Sequence, residues 1–235
     1  IYKDSGNSDA NETFRNGTLS IGFIGLWDAL SVLHNREWKQ ISDMENYLDE
    51  AFHIISVMRY MVDGFTEETR MNFSLLASAA EGVSGNFASY DMKHIGKGMY
   101  VSEKGYYSNS FHVPVDVEAD YTEKIHFEGR FHHLCNGGSI TYIELKEMPY
   151  GNQEAIKEII EYAYMNDCNY IGINFPMDNC NECAFIGKIS DRCPKCGSNN
   201  IRRLRRVSGY LAEVDRFVKG KKFELFDRLN HDRTD

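Results

Sequence analysis

Apolar residues in the first third of the chain recur at spacings that predict a strand, a helix and a second extended segment. Residues 18–26 (TLSIGFIGL) are apolar and β-prone, with glycines that mark turns or close backbone approaches. A capping-box pattern at residues 42–45 (SDME) precedes apolar residues at helical spacing. It predicts a helix that continues to about Val62 and ends near Gly64. Residues 72–80 are apolar again and are predicted to be extended.

The middle of the chain predicts irregular structure followed by a strand. Residues 82–106 are rich in Gly and Ser, which is typical of a long surface loop with short elements. Residues 111–117 (FHVPVDV) alternate between apolar and polar side chains, as a half-buried strand does.

A strand, a helix and another strand are predicted next. Residues 139–145 (SITYIEL) and 170–175 (YIGINF) have strand composition. Asn152 is suited to cap the intervening helix, whose buried face is predicted to carry Ile156, Ile159, Ile160 and Ala163. This order favours parallel pairing in an α/β layer. A further helix is predicted over residues 219–229.

Composition narrows the class of protein. Hydrophobic residues make up 42% of the 235 residues, as in an ordinary globular domain. The net charge of −9 argues against nucleic acid as a partner, and no apolar run reaches membrane-spanning length. The polar first 16 residues do not resemble a signal peptide, so we expect a cytoplasmic protein without membrane contact. Because residues 1–17 resemble the interior of a loop, we expect a fragment or a split gene product.

Four of the six cysteines have the spacing of a metal site. Cys180, Cys183, Cys193 and Cys196 form C-x2-C-x9-C-x2-C, two knuckles that suit a closed tetrahedral site for structural zinc. Four unrelated buried thiols, or an iron–sulfur cluster, are the alternatives. Cys135 and Cys168 stand alone and are expected to be inert packing residues.

The segment after the cysteines contains a glycine of special interest. Residues 206–210 (RVSGY) fit a strand interrupted by a turn glycine. They also resemble the signature of glycyl radical enzymes, in which the glycine of the Gly-Tyr pair, here Gly209, holds a backbone radical. A Cα radical favours a near-planar centre, which glycine accommodates because it has no side chain. We expect the loop tip to be dry and next to a cysteine, in an anaerobic setting.

Further segments resemble the anaerobic (class III) ribonucleotide reductase family. They are residues 18–26, residues 107–114 (YSNSFHVP), residues 136–140 (NGGSI) and the cysteine quartet directly before the glycine. The resemblance covers residues 18–229. It implies the second half of a ten-stranded α/β barrel of glycyl radical enzyme type over residues 1–175. The zinc-binding motif would occupy residues 176–200, and the radical loop with a C-terminal helix residues 201–235.

The resemblance also implies an activity, the reduction of ribonucleoside triphosphates to their 2′-deoxy forms. In that family an activating enzyme uses S-adenosylmethionine and an iron–sulfur cluster to form the glycyl radical. The radical then oxidises a cysteine to a thiyl, which abstracts the ribose 3′-hydrogen. Glu81 matches an active-site glutamate with an acid/base role, although a solvated loop carboxylate is the simpler alternative. Tyr107 and Asn109 are candidates to line the same pocket.

Two departures from the family bear on what this chain does alone. Ser208 stands where the family usually has cysteine, and the thiyl cysteine and the allosteric region belong upstream of residue 18. We therefore expect the N-terminal half of a reductase as a partner, and a homodimer. One alternative is a stand-alone glycyl-radical module that repairs a partner enzyme. Another is a non-catalytic zinc-ribbon protein whose arginines (Arg202, Arg203, Arg205 and Arg206) grip phosphate.

Overall fold

The first two strands pair in parallel across a helical connection. A computed structural model describes residues 15–96 and 100–232, so most of the predicted opening loop lies outside the described residues. β1 (Thr18–Phe23) lies beside β2 (Asn72–Ala77) in parallel register. The connection contains three α-helices: α1 (Leu26–His34), α2 (Ile41–Met44) and α3 (Leu48–Thr69). The predicted strands at both ends of this unit are confirmed.

The helix predicted after residue 42 exists, but its ends differ from the prediction. The capping box at its start is formed by Gln40 and Asp43, and the carboxylate of Asp43 accepts from the backbone N–H of Gln40. After a 3-10 turn, α3 continues past Gly64 to Thr69. Nothing lies within 4 Å of where a Cβ of Gly64 would sit. This glycine is therefore an exposed residue inside the helix and does not end it.

Helices occupy most of the segment that was predicted to be a loop. α4 (Val83–His94) and α5 (Tyr100–Glu103) lie within residues 82–106, so the loop prediction is wrong. Two of the glycines there, Gly85 and Gly105, lie at close packing contacts. A Cβ at Gly85 would lie 3.0 Å from the Cα of Gly220, which shows that two helix backbones meet at this point. The composition that favoured a loop therefore reflects a close helix–helix contact.

The strand predicted at residues 111–117 is absent, and an unpredicted helix follows. Phe111, Val113 and Val117 are buried in irregular backbone. The N–H of Val113 donates to the Glu128 carboxylate instead of to a neighbouring strand. Glu128 belongs to α6 (Tyr121–His132), which begins at a capping box. The alternation of apolar and polar residues in this segment thus results from packing against α6 and not from pairing in a β-sheet.

The predicted strand–helix–strand unit is confirmed. β3 (Thr141–Glu144) and β4 (Ile171–Asn174) pair in parallel, and α7 (Gln153–Met165) connects them. The Asn152 side chain caps α7 as expected. Ile159 and Ala163 are buried, whereas Ile160 is half exposed, so its predicted place on the buried face is wrong. A parallel bridge between Leu76 and Gly138 sets the approach to β3 beside β2.

The C-terminal region forms an antiparallel sheet and a last helix. The sheet has the order β6-β5-β7-β8. Its strands are β5 (Met177–Cys180), β6 (Ile186–Gly187), β7 (Ile201–Arg206) and β8 (Leu211–Glu213). The predicted last helix is present as α8 (Lys219–Asp227).

Among the described residues, two of the three buried hydrophobic clusters hold these layers together. The larger is centred on Trp27, Leu75, Phe111 and Phe131, between α1, α3, β2 and α6. The smaller packs α7 on β3 and β4 through Ile143, Ile159 and neighbouring residues. Among the helices of residues 15–96 and 100–232, none combines the length and the apolar character that crossing a bilayer requires.

Candidate functional site

The four clustered cysteines converge on one point. Their Sγ atoms all lie within 4.8 Å of one another, and the pairs Cys180–Cys196 and Cys183–Cys193 are each 3.5 Å apart. A tetrahedral zinc ion with Zn–S bonds of about 2.3 Å separates its sulfurs by about 3.8 Å. The quartet therefore has the donor set and the spacing of a closed zinc site.

The two knuckles have the same backbone geometry. In each, the residue after the second cysteine has positive φ, 56° at Ala184 and 75° at Gly197. Its N–H donates to the carbonyl of the first cysteine, over 2.9 Å in both cases. These turns direct further backbone N–H groups at the sulfurs. Burial raises the pKa of the Cys193 thiol, but N–H donors from Cys196 and Lys195 outweigh it and lower that pKa to about 7.

A buried carboxylate connects the cysteine knuckles to β7. Asp178 on β5 is fully buried and accepts from the N–H of Ile189. It also accepts from Arg205 at 2.6 Å and from Arg203 at 3.3 Å. Because Ile189 lies between the two knuckles and both arginines lie on β7, Asp178 ties the cysteine loops to the strand that leads to Gly209.

Gly209 lies at the tip of a tight hairpin between β7 and β8. The Val207 N–H donates to the Tyr210 carbonyl over 2.8 Å, which leaves Ser208 and Gly209 as the two turn residues. At the base, Arg228 of the C-terminal segment donates to the carbonyls of Arg206 and Val207. The hairpin is thus fixed by the backbone hydrogen bonds between β7 and β8 and by the Arg228 side chain at its base.

The hairpin tip touches Glu81, which precedes it by 128 residues. The Gly209 N–H donates to Glu81 Oε1 over 3.3 Å. Ala80, directly before Glu81, has a φ of 44°, a left-handed conformation that is uncommon for alanine. Two residues that the family resemblance singled out in the sequence are therefore in contact.

The described residues alone do not supply the dry surroundings expected for the hairpin tip, and the cysteine expected beside it belongs upstream of residue 18. Gly209 is exposed, and within residues 15–96 and 100–232 only Glu81 Oε1 comes within 4 Å of where its Cβ would lie. Cys135 and Cys168 are buried, and burial raises the pKa of both thiols to about 12. Both remain protonated near neutrality, in line with the expected packing role.

Asn109 lies behind the hairpin and is buried. Its side-chain oxygen accepts from Lys221 Nζ over 3.1 Å, and Lys221 is itself fully buried and paired with Glu224. Glu224 also accepts from Arg228, the residue that holds the hairpin base. Sequence reasoning missed this cluster. The positions 221, 224 and 228 share one face of a helical repeat, which was the available signal.

Tyr107 lies in a different place from Asn109. Its hydroxyl donates to Asp91 over 2.6 Å, and its ring lines a cavity of 770 Å³ beyond the carboxyl ends of β1 and β2. Ala80 also lines that cavity, whereas Glu81 and Tyr210 line a separate one of 470 Å³. Glu81 therefore lines the smaller cavity and directly follows a residue that lines the larger one.

The arginines of β7 are not a free phosphate-binding patch. Arg202 pairs with Glu213, Arg203 and Arg205 with Asp178, and Arg206 donates to Asn174. These contacts give the arginines a structural role in the sheet, which removes the basis for the zinc-ribbon alternative.

Comparison with known proteins places the chain among anaerobic reductases. The family model described as anaerobic ribonucleoside-triphosphate reductase matches residues 1–231. The anaerobic ribonucleoside-triphosphate reductase of Escherichia coli K12 is 34% identical over 96% of this chain and 33% of its own length. That of Enterobacteria phage T4 is 30% identical over 96% of this chain and 37% of its own length. The chain thus spans about a third of the curated relatives.

Solved structures share the fold. An anaerobic ribonucleotide reductase superimposes with a TM-score of 0.74 at 23% identity, over 92% of this chain and 34% of that one. The Thermotoga maritima anaerobic ribonucleotide reductase in complex with dATP and CTP gives a TM-score of 0.65 at 22% identity, over 87% of this chain and 33% of that one. The mixed α/β fold described above is therefore similar to the corresponding third of these proteins.

Proposed function

This chain belongs to the anaerobic ribonucleoside-triphosphate reductase family, and from that membership we propose that it carries the radical-bearing part of such an enzyme. The proposed reaction is the reduction of ribonucleoside triphosphates to 2′-deoxyribonucleoside triphosphates. Gly209 holds the radical, which an activating enzyme forms with S-adenosylmethionine and an iron–sulfur cluster. A cysteine of the N-terminal portion, outside this chain, then becomes the thiyl.

The contact between Gly209 and Glu81 carries this proposal. The hydrogen bond of 3.3 Å joins the proposed radical site to the proposed acid/base residue. Glu81 lines the smaller cavity and directly follows Ala80 of the larger one, and its proposed role is to exchange protons with a ribose hydroxyl bound beside it. It also orients the Gly209 amide, whose nitrogen donates electron density to a Cα radical.

The cysteine quartet is the proposed zinc site, and its role is structural. Four thiolates fill a tetrahedral coordination sphere and leave no position for substrate. When bound, zinc crosslinks the two knuckles. The chain's own contribution is the Asp178 connection, which passes the position of the knuckles on to β7 and the hairpin.

The cavity at the ends of β1 and β2 is the proposed nucleotide site. Ligands of parallel α/β sheets bind beyond the carboxyl ends of the strands, where Tyr107 lies. Asn109 is proposed to act indirectly, because its side chain is buried against Lys221.

The parallel strands support the proposed half-barrel. β1, β2, β3 and β4 occur in chain order, in two parallel pairs joined by the bridge at Leu76. Residues 1–175 are the proposed half-barrel, 176–200 the zinc motif, and 201–235 the radical loop and last helix. The N-terminal half completes the barrel, and the assembled enzyme is a homodimer.

Electron paramagnetic resonance of the activated chain tests this function. The chain is incubated anaerobically with a radical-generating activating enzyme, S-adenosylmethionine and reductant, with and without an N-terminal reductase portion. We expect a doublet from one α-hydrogen in at least one of the two preparations.

Gly209→Ala is a clean control because the structure tolerates it. A Cβ there would lie 3.4 Å from Glu81 Oε1, an ordinary contact, and the backbone does not have positive φ. The variant should fold and give no doublet. A doublet that persists in Gly209→Ala, or silence in both preparations with zinc bound, would contradict the proposal.

A further inference from the structure

A small polar cavity lies behind the base of the hairpin. Its volume is 30 Å³, room for about two water molecules. Arg206, Val207 and Ser208 line it from the hairpin, and Tyr142 and Arg228 from β3 and the C-terminal segment. Neither Gly209 nor Glu81 is among its lining residues.

Three polar atoms of its lining residues have no hydrogen-bond partner within the described chain. They are Ser208 Oγ, Tyr142 OH and Arg228 Nε, and each atom is buried. Ser208 is 3% exposed. All three can donate a hydrogen bond, and a buried donor without an acceptor is costly. The cavity therefore brings together donors that require an acceptor.

Arg206 adds a guanidinium with unused donors. Its Nε donates to Asn174 over 2.8 Å, and its charge lies 5.9 Å from the centre of the Tyr142 ring. Unlike the other β7 arginines, it forms no ion pair with a carboxylate of residues 15–96 and 100–232. Within residues 15–96 and 100–232 its terminal nitrogens make no hydrogen bond, and they remain available beside the Tyr142 ring.

The charges around the cavity leave one positive charge in excess. The lining cations are Lys124, Arg206 and Arg228, and the lining carboxylates are Glu144 and Glu224. Glu128 behind the wall pairs with Lys124, and Lys221 with Glu224. Among the lysine, arginine and glutamate side chains that line the cavity, three cations therefore face two carboxylates. Both lining carboxylates already accept from Arg228, so the excess charge lies with Arg206.

We propose that this cavity binds one small planar monoanion, of the carboxylate or nitrate class. A planar anion of four heavy atoms matches the volume, and one negative charge balances the excess. A guanidinium edge and hydroxyl donors are the groups that recognise planar oxyanions. The bound anion joins Arg206 and Ser208 of the hairpin to Tyr142 of β3, and so fixes the base of the hairpin from behind.

Thermal unfolding of the full chain in nitrate and acetate tests the proposal. At constant ionic strength in a weakly binding salt, each anion should raise Tm along a saturable curve, since a ligand of the folded state stabilises it. Sulfate, divalent and non-planar, should give no saturable rise. Arg206→Gln should weaken the apparent affinity for nitrate at least tenfold, whereas Arg202→Gln should leave it unchanged, because Arg202 pairs with Glu213 outside the cavity.

Tyr142→Phe keeps the test decisive if Arg206→Gln folds poorly. Its hydroxyl has no partner, so removing it should leave Tm unchanged or higher without anion while the nitrate affinity falls. A Tm response that is linear in salt, identical in all variants, or saturable with sulfate would overturn the proposal. Equal responses would mean that the cavity holds water only.

Discussion

His231 shows how one buried side chain attaches the end of the chain to the half-barrel. The Nδ1 atom of its ring accepts from the backbone N–H of Glu144 over 2.9 Å. The backbone N–H of His231 donates to the Glu144 carbonyl over 2.7 Å. The histidine is 4% exposed. An acceptor at Nδ1 requires the neutral ring, and burial lowers the pKa of His231 to about 3.

This histidine makes the stability of the fold depend on acid. The pKa of His231 in the unfolded chain is about 6.5. Below that pH the unfolded chain binds a proton at His231 that the folded chain does not bind, so the free energy of unfolding falls as pH falls. Nothing is lost above pH 6.5, and the loss grows down to the folded pKa of about 3. From His231 alone we expect about 2 kcal/mol between pH 6.5 and pH 5, measured by urea unfolding.

Two asparagine variants separate His231 from other groups that titrate in this range. His231→Asn retains an acceptor near the Glu144 N–H but does not titrate, so the pH slope should shrink. His53→Asn replaces an exposed histidine of α3 and should leave the slope unchanged. His132, whose pKa burial lowers to about 4, keeps part of the slope in both variants. An unaltered slope in His231→Asn would contradict the assignment.

At the scale of elements, sequence patterns predicted the structure correctly where the buried positions recur with the period of a strand or a helix. The β3–α7–β4 unit was predictable because its strands are apolar, its helix is amphipathic and Asn152 caps it. α4 was missed because its glycine, Gly85, which is needed where the helix meets Gly220, is typical of loops in sequence. The strand prediction for residues 111–117 failed because the Glu128 carboxylate accepts the hydrogen bond of the Val113 N–H, which a neighbouring strand would otherwise accept.

The metal ligands were predictable and their connection to the hairpin was not. Cysteine spacing alone indicates the zinc site, since the ligands are close in sequence. Asp178 has no such signal. It becomes important only because β5 and β7 pair, which brings Arg203 beside it. Contacts of this kind depend on tertiary structure, which one sequence does not specify by spacing.

Asp178→Asn should loosen the connection between the knuckles and β7. The variant removes the charge that Arg203 and Arg205 share, and these arginines are 39% and 20% exposed, so water offsets part of the loss. We expect about 2 kcal/mol less stability by urea unfolding, together with faster zinc release to a chromophoric chelator.

Asp215→Asn is the matched control, since it makes the same charge change at an exposed residue after β8. It should release zinc at the rate of the unmodified chain. If Asp178→Asn also releases zinc at that rate, the carboxylate does not hold the knuckles.

At the scale of the molecule, sequence resemblance identified the family but did not predict which residues surround Gly209. The hairpin and its contact with Glu81 are present, but the tip is exposed in the part of the chain described. A buried radical site needs more surface than this chain supplies at that point. The relatives are about three times as long, which is consistent with a cover contributed by their remaining portion.

Oxygen cleavage after activation measures that exposure directly. Oxygen adds to a glycyl radical and breaks the backbone there, so air should cut the activated chain at Gly209, which mass spectrometry detects as an N-terminal fragment ending near Ser208. We expect the chain alone to be cut rapidly because its tip is exposed. Adding the N-terminal reductase portion should slow the cut, because we propose that this portion covers the hairpin. Gly209→Ala should stay intact in both preparations, and equal rates with and without the added portion would show that the cover lies elsewhere.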